Sequence, residues 1–464
     1  MSHWDKVAGD IDTWRRWSRH YHKKLATIYN FLIPNKQNIL EVGCGCGDLL
    51  ASLSPAHSVG VDYSPEMIKV ARQRHPDITF ICSDINELEK DEKFDIIIMS
   101  DLASELWDVQ ETLTKIKRFT KPDTRIIFNF YSRLWEAPLS LVKSMKLSTP
   151  TLNQNWLTKE DITGICHLSG FEVIRSWQEI LLPLPIPALD SLLNRFFVKL
   201  WPFKHGALTN FMIARPSPVE SSASAKPTVS VLVPARNEAG NISNILKRTP
   251  EMGGGVELIF VEGHSKDDTY ETIEREIKNH PERRVKLIRQ TGSGKGNAVR
   301  EGFDIATGDI LMILDADLTV PPEDLPRFYD AIVSGKGEFV NGVRLIYPME
   351  DEAMRFFNLL GNKFFSMVFS WLLNQPVKDT LCGTKALSKK NYEKISMNRA
   401  YFGDFDPFGD FDLLFGASKL NLKIIDLPVR YRARSYGETN IQRWKHGWLL
   451  IKMSFFAIRR LKFT

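Results

Sequence analysis

Gly308-Asp309-Ile310-Leu311-Met312-Ile313-Leu314-Asp315-Ala316-Asp317 is the stretch whose reading decides the fold. Its apolar run from Ile310 to Leu314, entered through Thr307-Gly308-Asp309, has the length and character of a buried parallel strand. Two carboxylates follow. Side chains two apart on extended backbone share a face, so Asp315 and Asp317 are expected to converge on one hard cation. Such a cation binds diphosphates, and ligands of open α/β sheets sit outside the carboxyl ends of the strands. The spacing alone is weak, because Asp10/Asp12, Asp404/Asp406 and Asp410/Asp412 share it. The preceding strand, and a glycine-rich stretch before that, set this pair apart.

Upstream in the same half, Val229-Ser230-Val231-Leu232-Val233-Pro234 reads as a strand, followed by Ala235-Arg236-Asn237-Glu238 and a helix through Ile245. Glu257-Leu258-Ile259-Phe260-Val261 is a second strand. It ends in Glu262-Gly263-His264-Ser265-Lys266-Asp267-Asp268-Thr269, where Ser and Asp suit a helix cap. After a third strand, Val285 to Ile288, comes Gly292-Ser293-Gly294-Lys295-Gly296-Asn297. This is no P-loop, since Lys295 precedes a glycine rather than Ser or Thr.

Together with Val340-Asn341-Gly342-Val343-Arg344, Asp379-Thr380-Leu381-Cys382-Gly383-Thr384-Lys385 and Arg434-Ser435-Tyr436-Gly437-Glu438-Thr439-Asn440, these motifs resemble family 2 inverting glycosyltransferases. The later motifs narrow the resemblance to the dolichol-phosphate mannose synthase-like type, over residues 228 to 440. It implies a nucleotide-sugar donor, with Pro234, Glu238 and Glu262 lining the nucleotide site. Asp315 and Asp317 would hold Mg²⁺ or Mn²⁺ on the diphosphate, and Lys295 would touch phosphate. A phosphate acceptor needs cations, for which Arg344, Arg355 and Arg434 are the candidates. A hydroxyl acceptor needs a base instead, for which Asp412 or its neighbour Asp410 is the natural choice. The family's two acids at 262–263 are Glu262-Gly263 here, and its serine-glycine-phenylalanine is Cys382-Gly383-Thr384. These departures leave base, sugar and acceptor preference open.

The other half turns on Asn38-Ile39-Leu40-Glu41-Val42, a strand, and the glycine loop Gly43-Cys44-Gly45-Cys46-Gly47 before Asp48-Leu49-Leu50. A second strand, Ser58 to Val61, ends in Asp62, where an acid typically binds ribose hydroxyls. The dinucleotide fingerprint fails because Asp48 stands where its last glycine belongs. With Val61 to Met67, Cys82-Ser83-Asp84-Ile85 and Phe94 to Ser100, the pattern instead resembles class I S-adenosylmethionine-dependent methyltransferases over residues 35 to 180. The resemblance implies that Glu41, Gly43, Gly45 and Gly47 shape the methionine end of the S-adenosyl-L-methionine site. It likewise gives the ribose to Asp62 and the adenine to Asp84 and Ile85. His22, Asp101 and His167 are possible bases, although each also suits a structural role, and the methyl acceptor stays blank.

Composition sets the bounds. The chain has 464 residues, 43% hydrophobic and 25% charged, as suits a soluble protein of two to four domains. A net charge of +5 permits anionic ligands without demanding nucleic acid. Cys44, Cys46, Cys82, Cys166 and Cys382 form no repeated pair pattern, so reduced thiols in a cytoplasmic setting are expected. The first residues lack the apolar core of a secretory signal, and no run reaches the length of a transmembrane helix.

Two α/β domains follow from this reading: a Rossmann-like methyltransferase sheet at 1–214 and a nucleotide-sugar-binding glycosyltransferase type A fold at 229–440. A linker rich in proline and serine joins them at 215–228. The tail, 441–464, reads as a helix with a basic stripe, suited to packing or to a membrane surface. The apolar, proline-broken stretch from Leu181 to Phe203 suits a lid or a docking surface. The expected function is bifunctional: methyl transfer, and metal-dependent inverting sugar transfer to polyprenyl phosphate, peripheral at the inner face of a membrane. The alternative is a glycosyltransferase acting on a soluble or saccharide hydroxyl, with an N-terminal domain that only binds cofactor or partner.

Overall fold

Apolar runs without alternation build both sheets, because each sheet is covered on both faces. The computed structural model describes residues 2–145, 149–152, 154–219, 226–347, 356–399, 409–434, 436 and 443–463. The chain divides into two units, Met1–Ser217 with Phe463–Thr464, and Pro218–Lys462.

In the first unit, strands β1 (Asn38–Val42), β2 (His57–Asp62), β3 (Thr79–Cys82), β4 (Phe94–Ser100), β5 (Thr120–Tyr131), β6 (Phe171–Glu179) and β7 (Thr209–Pro216) form one sheet in the order 3-2-1-4-5-7-6. β7 lies antiparallel between β5 and β6, and the other neighbours are parallel. Side chains alternate between the faces: Leu40, Val42, Ile97 and Met99 fill one core, and Ile39, Ile96 and Ile98 the other. The chain order reverses beside β1, which opens a crevice between the carboxyl ends of β1 and β4. The helix Ile11–Leu32 adds Tyr21, Leu25 and Tyr29 to the second core.

In the second unit, β8 (Val229–Ala235), β9 (Val256–Glu262), β10 (Arg284–Arg289), β11 (Ile310–Ile313), β12 (Phe339–Val343), β13 (Lys385–Ser388) and β14 (Ile424–Pro428) take the order 10-9-8-11-13-12-14. Here β13 is the antiparallel insertion, between β11 and β12. Val229, Val231, Val233, Ile310 and Met312 face one core, and Leu232, Leu311 and Ile313 the other. The helix Phe356–Leu373 buries Phe369, which stacks on Phe415 with ring centroids 5.3 Å apart.

Two boundaries differ from the sequence reading. β7 continues through Arg215 and Pro216, two residues into the expected linker, because the Arg215 guanidinium is buried against Glu172. β11 ends at Ile313, so Asp315 and Asp317 lie on a turn rather than on extended backbone. Their relation comes from that turn and from side-chain pairing, not from the two-residue period of a strand.

Candidate active sites

In the first unit the glycine loop owes its shape to left-handed backbone. Gly47, at φ 75°, starts the short helix Asp48–Ala51, and a Cβ there would overlap the Phe80 ring. Asp62, at the end of β2, accepts from the Gly45 N–H at 2.8 Å through one oxygen and from the Ser64 N–H at 3.0 Å through the other. Burial raises its pKa, and those two backbone donors oppose the rise. Ser64 in turn caps the helix Pro65–Arg74. Beside them opens a cavity of about 1410 Å³, lined among others by Glu41, Gly43, Gly45, Asp62, Asp84 and Ile85. Six of the seven cofactor-binding residues expected from the sequence thus line one cavity, and Gly47 belongs to the same loop.

The lining of that cavity also carries groups that sequence reasoning passed over or weighed lightly. Just past β4, Asp101 holds φ 55°, a conformation uncommon for a side chain other than glycine. One of its oxygens accepts from Tyr21 Oη at 2.8 Å and from Asn129 Nδ2 at 2.5 Å. Burial pushes Asp101 up to about 7, against those two hydrogen bonds. Glu105 is also pushed up to about 7, first by burial and then by the Asp101 charge. Asp101, Glu105, Tyr21, Tyr131 and His22 all line the cavity. His167, by contrast, lies in the helix Lys159–Leu168 and is not part of it.

In the second unit, both expected metal-binding carboxylates are held by cations. Asp315 accepts from Lys295 Nζ at 2.5 Å, and Asp317 from Arg434 Nη2 at 2.7 Å. Thr319 supplies its N–H and hydroxyl to the other Asp317 oxygen. Arg434 also reaches Glu238 at 3.1 Å. Burial would raise the Asp315 pKa, but the Lys295 ammonium beside it outweighs that and holds it below the usual range. Glu238 goes the other way, pushed up to about 7 by burial although Asn241 and Arg434 stabilise its charge. Two oxygen-donor carboxylates fit a hard divalent ion, with the remaining positions left for a diphosphate. Among the described residues no group of three or more His, Cys, Asp or Glu side chains is set for a metal.

The other expected residues fall around this cluster. Pro234 is on β8, and Glu262, buried at the end of β9, accepts from the Ser265 N–H and so shapes the loop after it. Arg344 makes a two-pronged pair with Asp379, at 2.7 and 2.9 Å, which holds that fully buried carboxyl at about 2 against the cost of burial. Asp412 is buried with Arg399 at 2.9 Å and Arg300 at 3.7 Å, an arrangement that fixes it in an ion-pair network. Arg355 and the side chain of Asp410 lie outside the described residues.

Models of two families match the sequence: a methyltransferase domain over residues 33–181, and glycosyl transferase family 2 over residues 230–395. A dolichol-phosphate mannosyltransferase of Pyrococcus furiosus is 30% identical over 250 residues, covering 51% of this chain and 67% of that one. The chain joins a methyltransferase domain to a family 2 glycosyltransferase. An undecaprenyl-phosphate 4-deoxy-4-formamido-L-arabinose transferase of Edwardsiella ictaluri is 26% identical over 215 residues, 46% of this chain but only 62% of that relative. Among solved structures, a Mycobacterium tuberculosis glucosyl-3-phosphoglycerate synthase with uridine diphosphate shares 21% identity over 51% of this chain and 81% of its own, with TM-score 0.38. A putative methyltransferase complexed with the Haloferax volcanii Trm112 activator shares 18% identity over 46% of this chain and 97% of that one, with TM-score 0.37.

One residue of the glycosyltransferase site escaped the sequence reading. Gly383, noted there only as part of a departure from the family pattern, packs on the ion pair: a Cβ at this position would overlap both Lys295 Nζ and the Asp315 carboxylate. Gly409 similarly abuts Gly296, which brings the helix Asp410–Lys419 against the glycine-rich stretch. No local pattern signals such close approaches, since they depend on which distant segments the fold brings together.

Proposed function

We propose that the N-terminal domain transfers a methyl group from S-adenosyl-L-methionine, and that the C-terminal domain transfers a sugar from a nucleotide-sugar to polyprenyl phosphate with a divalent metal. The observation that carries the second part is the pairing of Asp315 with Lys295 and of Asp317 with Arg434. Cations of the chain balance both carboxylates, as a site must when it exchanges those partners for a metal-bound diphosphate. Asp315 and Asp317 would hold Mg²⁺ or Mn²⁺, which supplies charge neutralisation for the leaving diphosphate. Lys295 and Arg434, once displaced from the carboxylates, would meet phosphate oxygens. Gly383 keeps the floor of the site free of a side chain.

The acceptor reading rests on what Asp412 does. A hydroxyl acceptor needs a base to take its proton, and Asp412, one of the two expected candidates, has one oxygen engaged by Arg399, which favours an acceptor that needs none. A phosphate arrives already anionic and needs no base. The names of the relatives, which act on dolichol phosphate and undecaprenyl phosphate, support the same reading. Among the described residues no helix is long and apolar enough to cross a membrane.

For the methyl donor, the supporting observation is Asp62 bonded to the glycine loop in the lining of the cavity. Its carboxylate would take the ribose hydroxyls, Asp84 and Ile85 would flank the adenine, and Glu41 with the loop backbone would meet the methionine end. The donor's sulfonium supplies an activated methyl group. The chain's part is to align the acceptor across the cavity from that donor. Calorimetry on the full chain tests this half: S-adenosyl-L-methionine should bind, and a nicotinamide dinucleotide should not. Tight binding of the dinucleotide instead would overturn it.

A further inference from the structure

We infer that the segment between β6 and β7 is a membrane-docking lobe that seats the methyltransferase domain on an anionic lipid surface. The inference builds on the polyprenyl phosphate reading, which gives the enzyme a reason to be at a bilayer, but it stands on a different part of the chain. Six consecutive residues, Leu184-Pro185-Ile186-Pro187-Ala188-Leu189, are all apolar and all exposed. A soluble surface does not carry such a run without a use for it. Farther along the same segment Leu192 is exposed, Trp201 is 77% exposed and Phe203 is 48% exposed.

The exposure is built in rather than accidental. Buried Asn194 accepts from the Leu181 and Leu182 N–H groups at 2.7 and 2.9 Å and donates to the Leu182 carbonyl at 2.6 Å. Phe197 packs edge-on against Phe203, centroids 4.8 Å apart. The lobe therefore has a fixed base from which its apolar residues project.

Charge says what covers it. No acid in the segment is exposed: Asp190 is half-buried between Lys24 and His20, each at 2.9 Å. Arg195 and His205 are exposed, with Lys204 half-exposed beside Phe203. Aromatic and aliphatic tips on a segment whose accessible charged side chains are basic suit the boundary between headgroups and acyl chains of an anionic bilayer. The surface extends to a neighbouring element. Trp135 Nε1 donates to the Gly206 carbonyl at 3.0 Å, and the following helix Glu136–Ser144 exposes Leu141 while Leu139 and Lys143 line the cofactor cavity. A docked lobe thus brings one wall of that cavity close to lipid, within reach of a lipid-linked methyl acceptor.

The test is co-sedimentation of the full chain with vesicles of phosphatidylcholine alone, and with roughly one third phosphatidylglycerol. Binding should need the anionic lipid. It should weaken about tenfold or more in Ile186→Ser/Trp201→Ser, with an unchanged melting temperature. If that pair alters melting, Ile186→Ser alone, in the exposed run, serves instead and should still weaken binding severalfold. Lys204→Glu should weaken binding to the charged vesicles. Wild-type protein left in the supernatant with both vesicles overturns the inference. So does undiminished binding of the serine variants, or a wild-type dimer that those variants disperse without any lipid binding. Because the readout needs no turnover, a failure here is separate from a failure of sugar or methyl transfer.

Discussion

Asp317 shows how a single carboxylate is prepared for two partners. One oxygen is fixed by Thr319 and the other is held by Arg434, so the side chain is already oriented when a diphosphate arrives. Asp317→Asn keeps the shape but removes the charge that a divalent ion requires. Sugar transfer should fall roughly a hundredfold or more while the fold persists, measured as turnover at saturating metal. Gly383→Ala should cost about as much by another route, since its Cβ must push Lys295 and Asp315 apart. Donor affinity and turnover measured together would expose an indifferent Ala variant, and that result would remove Gly383 from the site.

Asp101 and Glu105 give a pH signature at the same scale. Both carboxyls sit at about 7 in the fold, above the usual range near 4. Such a group binds its proton more tightly folded than unfolded. Its stabilising contribution is therefore whole below about pH 4 and is lost as pH climbs through about 7. Thermal melting should thus decline between about pH 5 and pH 7.5. Asp101→Asn, which can still accept from Tyr21, should flatten that decline. An identical pH dependence in the variant would mean that Asp101 is ordinary.

Among the elements, the helix Phe356–Leu373 separates core from surface most sharply. Phe369 is fully buried against Phe411 and Phe415, whereas Met367 is 69% exposed. Phe369→Ala should destabilise by about 3–5 kcal/mol and Met367→Ala by less than about 0.5 kcal/mol in denaturant titrations. In sequence the ten residues Phe364 to Leu373 form one apolar-rich run, and helical phase alone separates its buried members, Phe369, Leu372 and Leu373, from its exposed ones, Phe364 and Met367. The tail helix Arg443–Ala457 repeats the lesson: Leu450, Met453 and Ala457 are buried while Trp448, Ile451 and Phe455 are exposed. Legible in the sequence were β1, β2, β8, β9 and β11, because their apolar runs announce burial on both faces. So was the glycine loop with Asp62, because local backbone and one acid define it. Not legible were the antiparallel insertions β7 and β13, whose direction leaves no trace in apolar pattern. Equally hidden were Tyr21, Asn129, Asp379 and Gly383, whose partners in the two sites lie 28 to 88 positions away in the chain. Asp101 is joined to its partners across 80 and 28 positions in the same way.

For the whole molecule, two sites in two units mean two separable losses. Asp62→Ala should weaken S-adenosyl-L-methionine by roughly 1–3 kcal/mol, the cost of hydrogen bonds to a charged group, and leave sugar transfer unchanged. Asp317→Asn should do the reverse. The most direct trial of the account uses the full chain, a panel of labelled sugar nucleotides and undecaprenyl phosphate, with Mg²⁺ or Mn²⁺ and again in excess chelator. The account predicts labelled lipid from at least one donor, only with metal, and almost none from Asp317→Asn. Undiminished lipid product in chelator, or label appearing only on a soluble hydroxyl acceptor, would contradict it.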